Sequence, residues 1–328
     1  MVRFSKLKVA CGLLATSLAL GVPSAHGDAA SQKPTLAQVL NSVQQATAAK
    51  KAPSLSSMIP SVTIASTSTP NAMIPSACYA TTTPQVVTTS NDTATTCAFG
   101  TLNANLSHTA LVIGDSQAAM WIPAFQAFGL SSGWKFIFLG KVGCGPWLPP
   151  SGKGIASCTD SVKNMIAFAN TLKPRYVIPT GLTLGWGGSL YPTQTQFQNE
   201  LVATINALSP SGAKILYFTE IPQFYSTIST STPTSCLTLS ATDITKCELT
   251  KTQLASLMTT KGLTAVSVAK KIPMVPTTKL FCGTIRCALY LPASDGNHLI
   301  YSDGFHINAQ FSAWISVAFG QVLAPYLT

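Results

Sequence analysis

Charge is scarce in this sequence: Asp, Glu, Lys and Arg make up only 9% of its 328 residues, and ten of those are acidic. Histidine is scarcer, confined to His26, His108, His298 and His306, and arginine occurs only as Arg3, Arg175 and Arg286. The net charge is nevertheless +10. Dispersed lysines with so few arginines argue against nucleic acid as the partner, because phosphate and base recognition draw on clustered basic side chains. Attraction to anionic cell-wall polymers fits such a surface better. No Cys-x-x-Cys pair is present and potential imidazole ligands are few, so neither zinc nor any other metal is expected, and no cofactor motif appears. No internal repeat is evident. The longest apolar run, Val9 to Val22, is short for a transmembrane helix.

What is present is a chain 46% hydrophobic, ample for a sizeable core, with Ser, Thr, Asn and Gln in place of ions at its surface. Residues 1–27 read as a secretory signal: Arg3, Lys6 and Lys8 precede the apolar run, and Ala25-His26-Gly27 offers small residues for cleavage. Loss of those three cations lowers the net charge to +7. Cys11 departs with the leader and leaves eight cysteines, an even number that points to disulfides in an exported chain. The simplest pairing is sequential: Cys78 with Cys97, Cys144 with Cys158, Cys236 with Cys247, and Cys282 with Cys287. The expected location is secreted or extracytoplasmic.

Residues 28–106 read as an extension. Leu36, Val39, Leu40 and Val43 recur at helical spacing and predict a helix over Thr35 to Ala49. A Ser/Thr/Pro-rich span, Pro53 to Thr96, is expected to be irregular. Residues 107–328 alternate strand and helix. Strands are predicted at Thr109–Ile113, Lys135–Leu139, Arg175–Pro179, Ala213–Thr219 and Ile272–Val275. Helices are predicted at Ala118–Phe128, around Val162–Ala169, at Gln196–Leu208, Leu249–Leu263 and Asn308–Leu323, with a small hairpin in Leu289–Ile300. This alternation implies an α/β fold, a three-layer α/β/α sandwich around a mostly parallel sheet of about five strands. The polar stretch Ile221–Thr245 reads as an insertion over the carboxyl edge of that sheet, facing substrate or merely decorating the surface.

The chemistry gathers at two places. Ala110 to Ile113 ends in Gly114-Asp115-Ser116 and passes into a helical pattern, as a buried strand delivering a serine at the sheet edge would. Read alone, the tripeptide is equally a helix cap. At the other end, Asp303 and His306 stand three apart in Tyr301-Ser302-Asp303-Gly304-Phe305-His306. That spacing lets the carboxylate orient the imidazole while its other nitrogen faces a serine. Of the four histidines, His306 is the best-placed base.

Ser116 with Asp303 and His306 resembles the pattern of the SGNH hydrolase superfamily. Over Leu111–Trp121, Gly133-Trp134, Gly143-Cys144-Gly145-Pro146, Cys158, Cys282–Cys287 and Leu289–His306, the chain resembles the extracellular SGNH domain fused to membrane acyltransferases of the acyltransferase-three type. Ser54–Gly100 resembles the extension that precedes such domains. The resemblance implies an SGNH, flavodoxin-like fold and a Ser116–His306–Asp303 triad that forms an acyl-serine. Two departures stand out: Gln117 follows the serine where the family commonly has His, and Pro179–Gly188 lacks the Asn that completes the oxyanion hole. The hole then rests on the backbone N–H groups of Ser116 and Gly143. Gln117 and Trp186 are expected to face substrate, and Trp121, Trp147 and Trp186 to line a sugar site or serve the core.

The function so implied is O-acyl transfer to a cell-surface or cell-wall glycan, with a separate membrane acyltransferase as acyl donor. A carbohydrate O-acetyl esterase is the close alternative. A wall-binding or assembly module with a decayed site is a third reading, favoured by the two departures and opposed by the intact triad.

Overall fold

Six consecutive buried residues, Thr109–Gly114, form the strand about which the other elements are laid, and burial on both faces explains its unbroken apolar run. The computed structural model describes residues 33–69, 78, 97–149, 156–181, 193–224, 232–256, 258–304 and 306–328, which belong to one unit from Lys33 to Thr328. The leader read at residues 1–27, Trp186 and most of the Ser/Thr/Pro-rich span lie outside the described residues.

The first element is α1 (Leu36–Ala48), opened by reciprocal hydrogen bonds between Thr35 and Gln38 and burying Val39, Val43 and Ala46 as one stripe. Next come β1 (Met58–Ile59), α2 (Val62–Thr67) and β2 (Ala98–Gly100). Alternation then begins: β3 (Thr109–Gly114), α3 (Ser116–Ala119), α4 (Ile122–Ser132), β4 (Lys135–Gly140), α5 (Ala156–Leu172), β5 (Tyr176–Thr180), α6 (Gln194–Leu208), β6 (Lys214–Ile215) and β7 (Tyr217–Phe218). There follow α7 (Pro233–Leu239), β8 (Leu249–Thr250), α8 (Lys251–Ser256), α9 (Met258–Lys270), β9 (Met274–Val275) and β10 (Arg286–Cys287). The hairpin of β11 (Tyr290–Ala293) and β12 (Gly296–Leu299) leads into α10 (Ala309–Trp314) and α11 (Ser316–Leu323).

Among the described residues the main sheet has five strands in the order β2-β4-β3-β5-β6, all parallel except the edge strand β2. The chain leaves β3 for β4 on one side and reaches β5 on the other. The carboxyl end of β3 is therefore the point where strand order reverses and a crevice opens. Side chains alternate along the strand. Leu111 and Ile113 meet Val162, Met165 and Ala169 of α5, whereas Ala110 and Val112 join Phe125, Phe136 and Phe319 in the larger core. One residue past β6, β7 continues and pairs in parallel with β9.

Several particulars differ from the sequence reading. The strand expected over Ala213–Thr219 is divided into β6 and β7, the strand expected at Ile272–Val275 pairs with β7 outside the five-stranded sheet, and the helix expected over Leu249–Leu263 is divided into α8 and α9. The helix expected over Ala118–Phe128 starts at Ser116 and is divided into α3 and α4, because Pro123 in the first turn of α4 has no N–H to continue α3. The closing helix is divided at Ile315, whose ψ is 5°. The Ser/Thr/Pro-rich span contains α2 and short extended pieces; β1 pairs with β12 and β2 with β4, so the extension is knitted into the domain. Finally, from Thr232 the polar insertion is scaffold: Leu237 and Ile244 are buried, and Ala241 and Ile244 exchange backbone hydrogen bonds with Ala52 and Lys50. Residues 225–231 of that insertion lie outside the described residues.

Disulfides join Cys78 to Cys97, Cys144 to Cys158, Cys236 to Cys247, and Cys282 to Cys287.

Candidate active site

The turn after β3 is dictated by crowding. A Cβ on Gly114 would stand 1.7 Å from the Thr180 carbonyl oxygen and 2.8 Å from the Ala118 methyl, so only glycine lets the neighbouring strand and the helix approach. Asp115 then caps α3, its carboxylate accepting the Gln117 N–H at 2.8 Å. Both bland and functional readings of Gly-Asp-Ser thus apply, to different residues: Asp115 is the cap and Ser116 is delivered at the sheet edge. As the first residue of α3, Ser116 has a backbone N–H that no carbonyl of the same helix can accept.

His306 comes from a self-closed turn. Tyr301 bridges Ile307, the Ser302 N–H donates to the His306 carbonyl at 2.9 Å, and the His306 N–H donates to Asp303 Oδ1 at 2.8 Å. From outside the turn, the Phe224 N–H holds the Gly304 carbonyl at 2.9 Å, and the Phe224 ring meets buried Tyr301 edge-on. Within this frame Asp303 Oδ2 lies 2.7 Å from His306 Nδ1, and His306 Nε2 lies 2.7 Å from Ser116 Oγ. The carboxylate can only accept, so Nδ1 carries the proton and Nε2 is left to accept from the serine hydroxyl. That tautomer suits removal of a proton from Ser116.

The structure brings Ser116, Asp303 and His306 together. Gly143 is exposed in a turn at φ 70°, with open space about it. Gly145, two residues on, lies against Gly181, where an added Cβ would stand 3.1 Å from Gly145 Cα and 3.3 Å from Asp115 Cγ. Nothing in the sequence ranked Gly145 over Gly143, since only the close approach of Gly181 distinguishes them. Gln117 is buried and lines a small cavity of about 30 Å³ with Met120, Trp121, Trp147, Thr180 and Phe218. Trp121 is also core, stacked on Phe319 at 4.9 Å.

The sequence contains a second Asp-x-x-His, Asp295 and His298. Here the carboxylate meets the ring through Nε2, at 2.9 Å, rather than through Nδ1, and the ring is buried, His298 stacking on Trp314 at 3.8 Å. Burial lowers the His298 pKa against the opposing pull of Asp295. His108 packs on Trp134. Among the described residues no cluster of three His, Cys, Asp or Glu side chains could hold a metal.

A sheet with helices on both faces, carrying a serine at the switch point and an Asp–His pair near the end of the chain, defines an SGNH-type enzyme of acyl transfer or ester cleavage. More narrowly, the chain belongs to the family described as SGNH domain (fused to AT3 domains), whose model matches residues 77–321. Among solved structures it is similar to the periplasmic domain of a lipopolysaccharide acetyltransferase from Salmonella ser. Paratyphi A. That pair shares 14% identity over 66% of this chain and 84% of that one, with a TM-score of 0.53. Also similar are a carbohydrate acetylesterase from Sinorhizobium meliloti, at 14% identity over 67% and 99% with a TM-score of 0.41, and a GDSL-like lipase from Bacteroides thetaiotaomicron, at 11% identity over 67% and 89% with a TM-score of 0.39. No curated protein matches the chain. Four disulfides suit an oxidising, extracytoplasmic setting, and among the described residues no helix is long and apolar enough to cross a membrane.

Proposed function

We propose that the protein is an exported, serine-dependent O-acyltransferase that modifies cell-surface or cell-wall glycans through an acyl-serine, after removal of a leader at residues 1–27. The observation that carries this reading is the unbroken relay from Asp303 through His306 to Ser116, with both contacts at 2.7 Å. As Ser116 Oγ attacks the acyl carbonyl carbon, its proton passes to His306 Nε2, and Asp303 stabilises the imidazolium. When the tetrahedral adduct collapses, the bond to the leaving group breaks and His306 returns the proton to it. A sugar hydroxyl then attacks the acyl-serine and gives its proton to His306, which passes it to the departing Ser116 oxygen.

Backbone N–H groups of Ser116 and of the loop from Gly143 to Gly145 receive the developing oxyanion in this scheme, and Gly145 is favoured by its closeness to Asp115. Gln117, and Trp186 outside the described residues, are assigned to substrate contact. Membership of a family whose domains are fused to AT3 domains supports transfer, with a membrane acyltransferase as the acyl donor. With water as the second nucleophile the same residues make a carbohydrate O-acetyl esterase. The aligned triad speaks against a decayed binding module.

The test is acetate release from para-nitrophenyl acetate by the oxidised protein. Ser116→Ala and His306→Ala should each lower kcat by about 10³ or more. Equal rates in all three proteins would remove the relay and leave the binding module.

A further inference from the structure

Two unsatisfied polar groups line the cavity that begins one residue past Ser116. Thr180 Oγ1 and Trp147 Nε1 are both buried and have no hydrogen-bond partner among the described residues. Such groups lower stability; the hydroxyls of Tyr217, Tyr301, Ser312 and Ser316 are likewise buried without a partner among the described residues, and Thr180 and Trp147 differ from them in lining the cavity. On β5, Tyr176 and Ile178 face the core under α3 and α4, and Thr180, two residues further, faces the same way. Its register partner on β3 is Gly114, the glycine of the nucleophile turn. Trp147 also lines the cavity, its ring edge-on to Phe197 and Tyr217.

The cavity between them has apolar walls from Met120, Trp121 and Phe218, a volume of about 30 Å³, and the Glu220 carboxylate on its rim. A space of that size holds about two water-sized groups, the size of a short acyl group's methyl and carbonyl oxygen, and a carboxylate residue among its lining disfavours an anion. A short, uncharged acyl group meets all three conditions: the methyl fits the walls, and its carbonyl oxygen is an acceptor for the two donors. We propose that Thr180 and Trp147 are specificity-determining residues that hold such an acyl group by donating to its oxygen. This deepens, and rests on, the reading of Ser116 as the acylated residue. It also gives a role to Thr180 within the very stretch, Pro179–Gly188, that lacks the family's Asn.

A substrate-binding orphan and a structural one respond oppositely to removal. Thr180→Val keeps the shape, deletes the hydroxyl and relieves the unsatisfied burial. It should lower kcat/KM for para-nitrophenyl acetate about tenfold or more while Tm stays level or rises, and Thr180→Ser should restore most of the rate. Trp147→Phe, checked for native circular dichroism, should show a similar loss. The proposal is overturned if Thr180→Val stays within twofold of wild type, if Ser fails to rescue, or if rate and Tm fall together. Persistence of activity in Ser116→Ala would instead overturn the reading beneath it, so the two failures are distinguishable.

Discussion

His306 is served by two partners with different demands. Ser116 needs a free lone pair on Nε2, and Asp303 secures it by accepting the Nδ1 N–H at 2.7 Å, which keeps the proton on Nδ1. Asp303→Asn leaves the turn hydrogen-bonded but faces the imidazole with a side chain that can also donate, which releases the other tautomer. Steady-state cleavage of para-nitrophenyl acetate should lose about 10³–10⁴ in kcat with little change in Tm. A loss below threefold would detach Asp303 from the relay. These three residues were legible because the chain offers so few alternatives: with four histidines, one of them in the segment read as a leader, a serine at a strand end has few bases to choose from. Asp295 and His298 show the limit of that logic. Their spacing is identical, but the Trp314 ring lies over His298, which is buried, while Asp295 stays exposed. Gly145 and Thr180 were illegible for a related reason, since what matters at each is a neighbour brought in by the fold.

The alternation of strands and helices was readable wherever an element was long enough to show a period. It failed at β1 and β2, of two and three residues, which are too short to display one and lie beside low-complexity sequence. The loop after β4 is the element on which most depends. It is tied to α5 by Cys144–Cys158, and it lays Gly145 and Pro146 against Gly181 and Asp115. Replacing both cysteines by serine frees a loop of 14 residues, a change of about 3 kcal/mol in the chain-entropy account. Since that loop borders the nucleophile turn, ester cleavage should fall at temperatures well below the Tm of the double variant. Activity that holds until the global transition would show that the loop is positioned without its bridge.

For the molecule as a whole, stability should depend on pH through Glu248. This carboxyl is buried, and Arg286 at 3.8 Å is too distant to offset that burial, so its pKa rises from 4.5 to about 8. Between those values the folded chain holds a proton that the unfolded chain has released. The stabilisation is complete below about pH 4.5 and is lost as pH climbs through about 8. Glu248→Gln stays neutral in both states, so its urea midpoint should change less between pH 5 and pH 8 than that of the wild type. Equal changes in the two proteins would mean that other groups set the dependence. The charge count alone could not have shown this, because nothing local marks one of ten acidic residues as enclosed.

The turn from Tyr301 to Ile307 has a consequence for assembly. Asp303 and His306 find each other within three residues, whereas His306 and Ser116 meet across a separation of 190. The fold therefore has to set one long-range alignment, that of a preassembled acid–base pair onto a single hydroxyl. A molecule whose final segment had come away would keep the pair and lose the reaction while most of its sheet endured. On the proposed mechanism, turnover is a gauge of how the end of the chain is seated, more sensitive than any signal averaged over the whole fold.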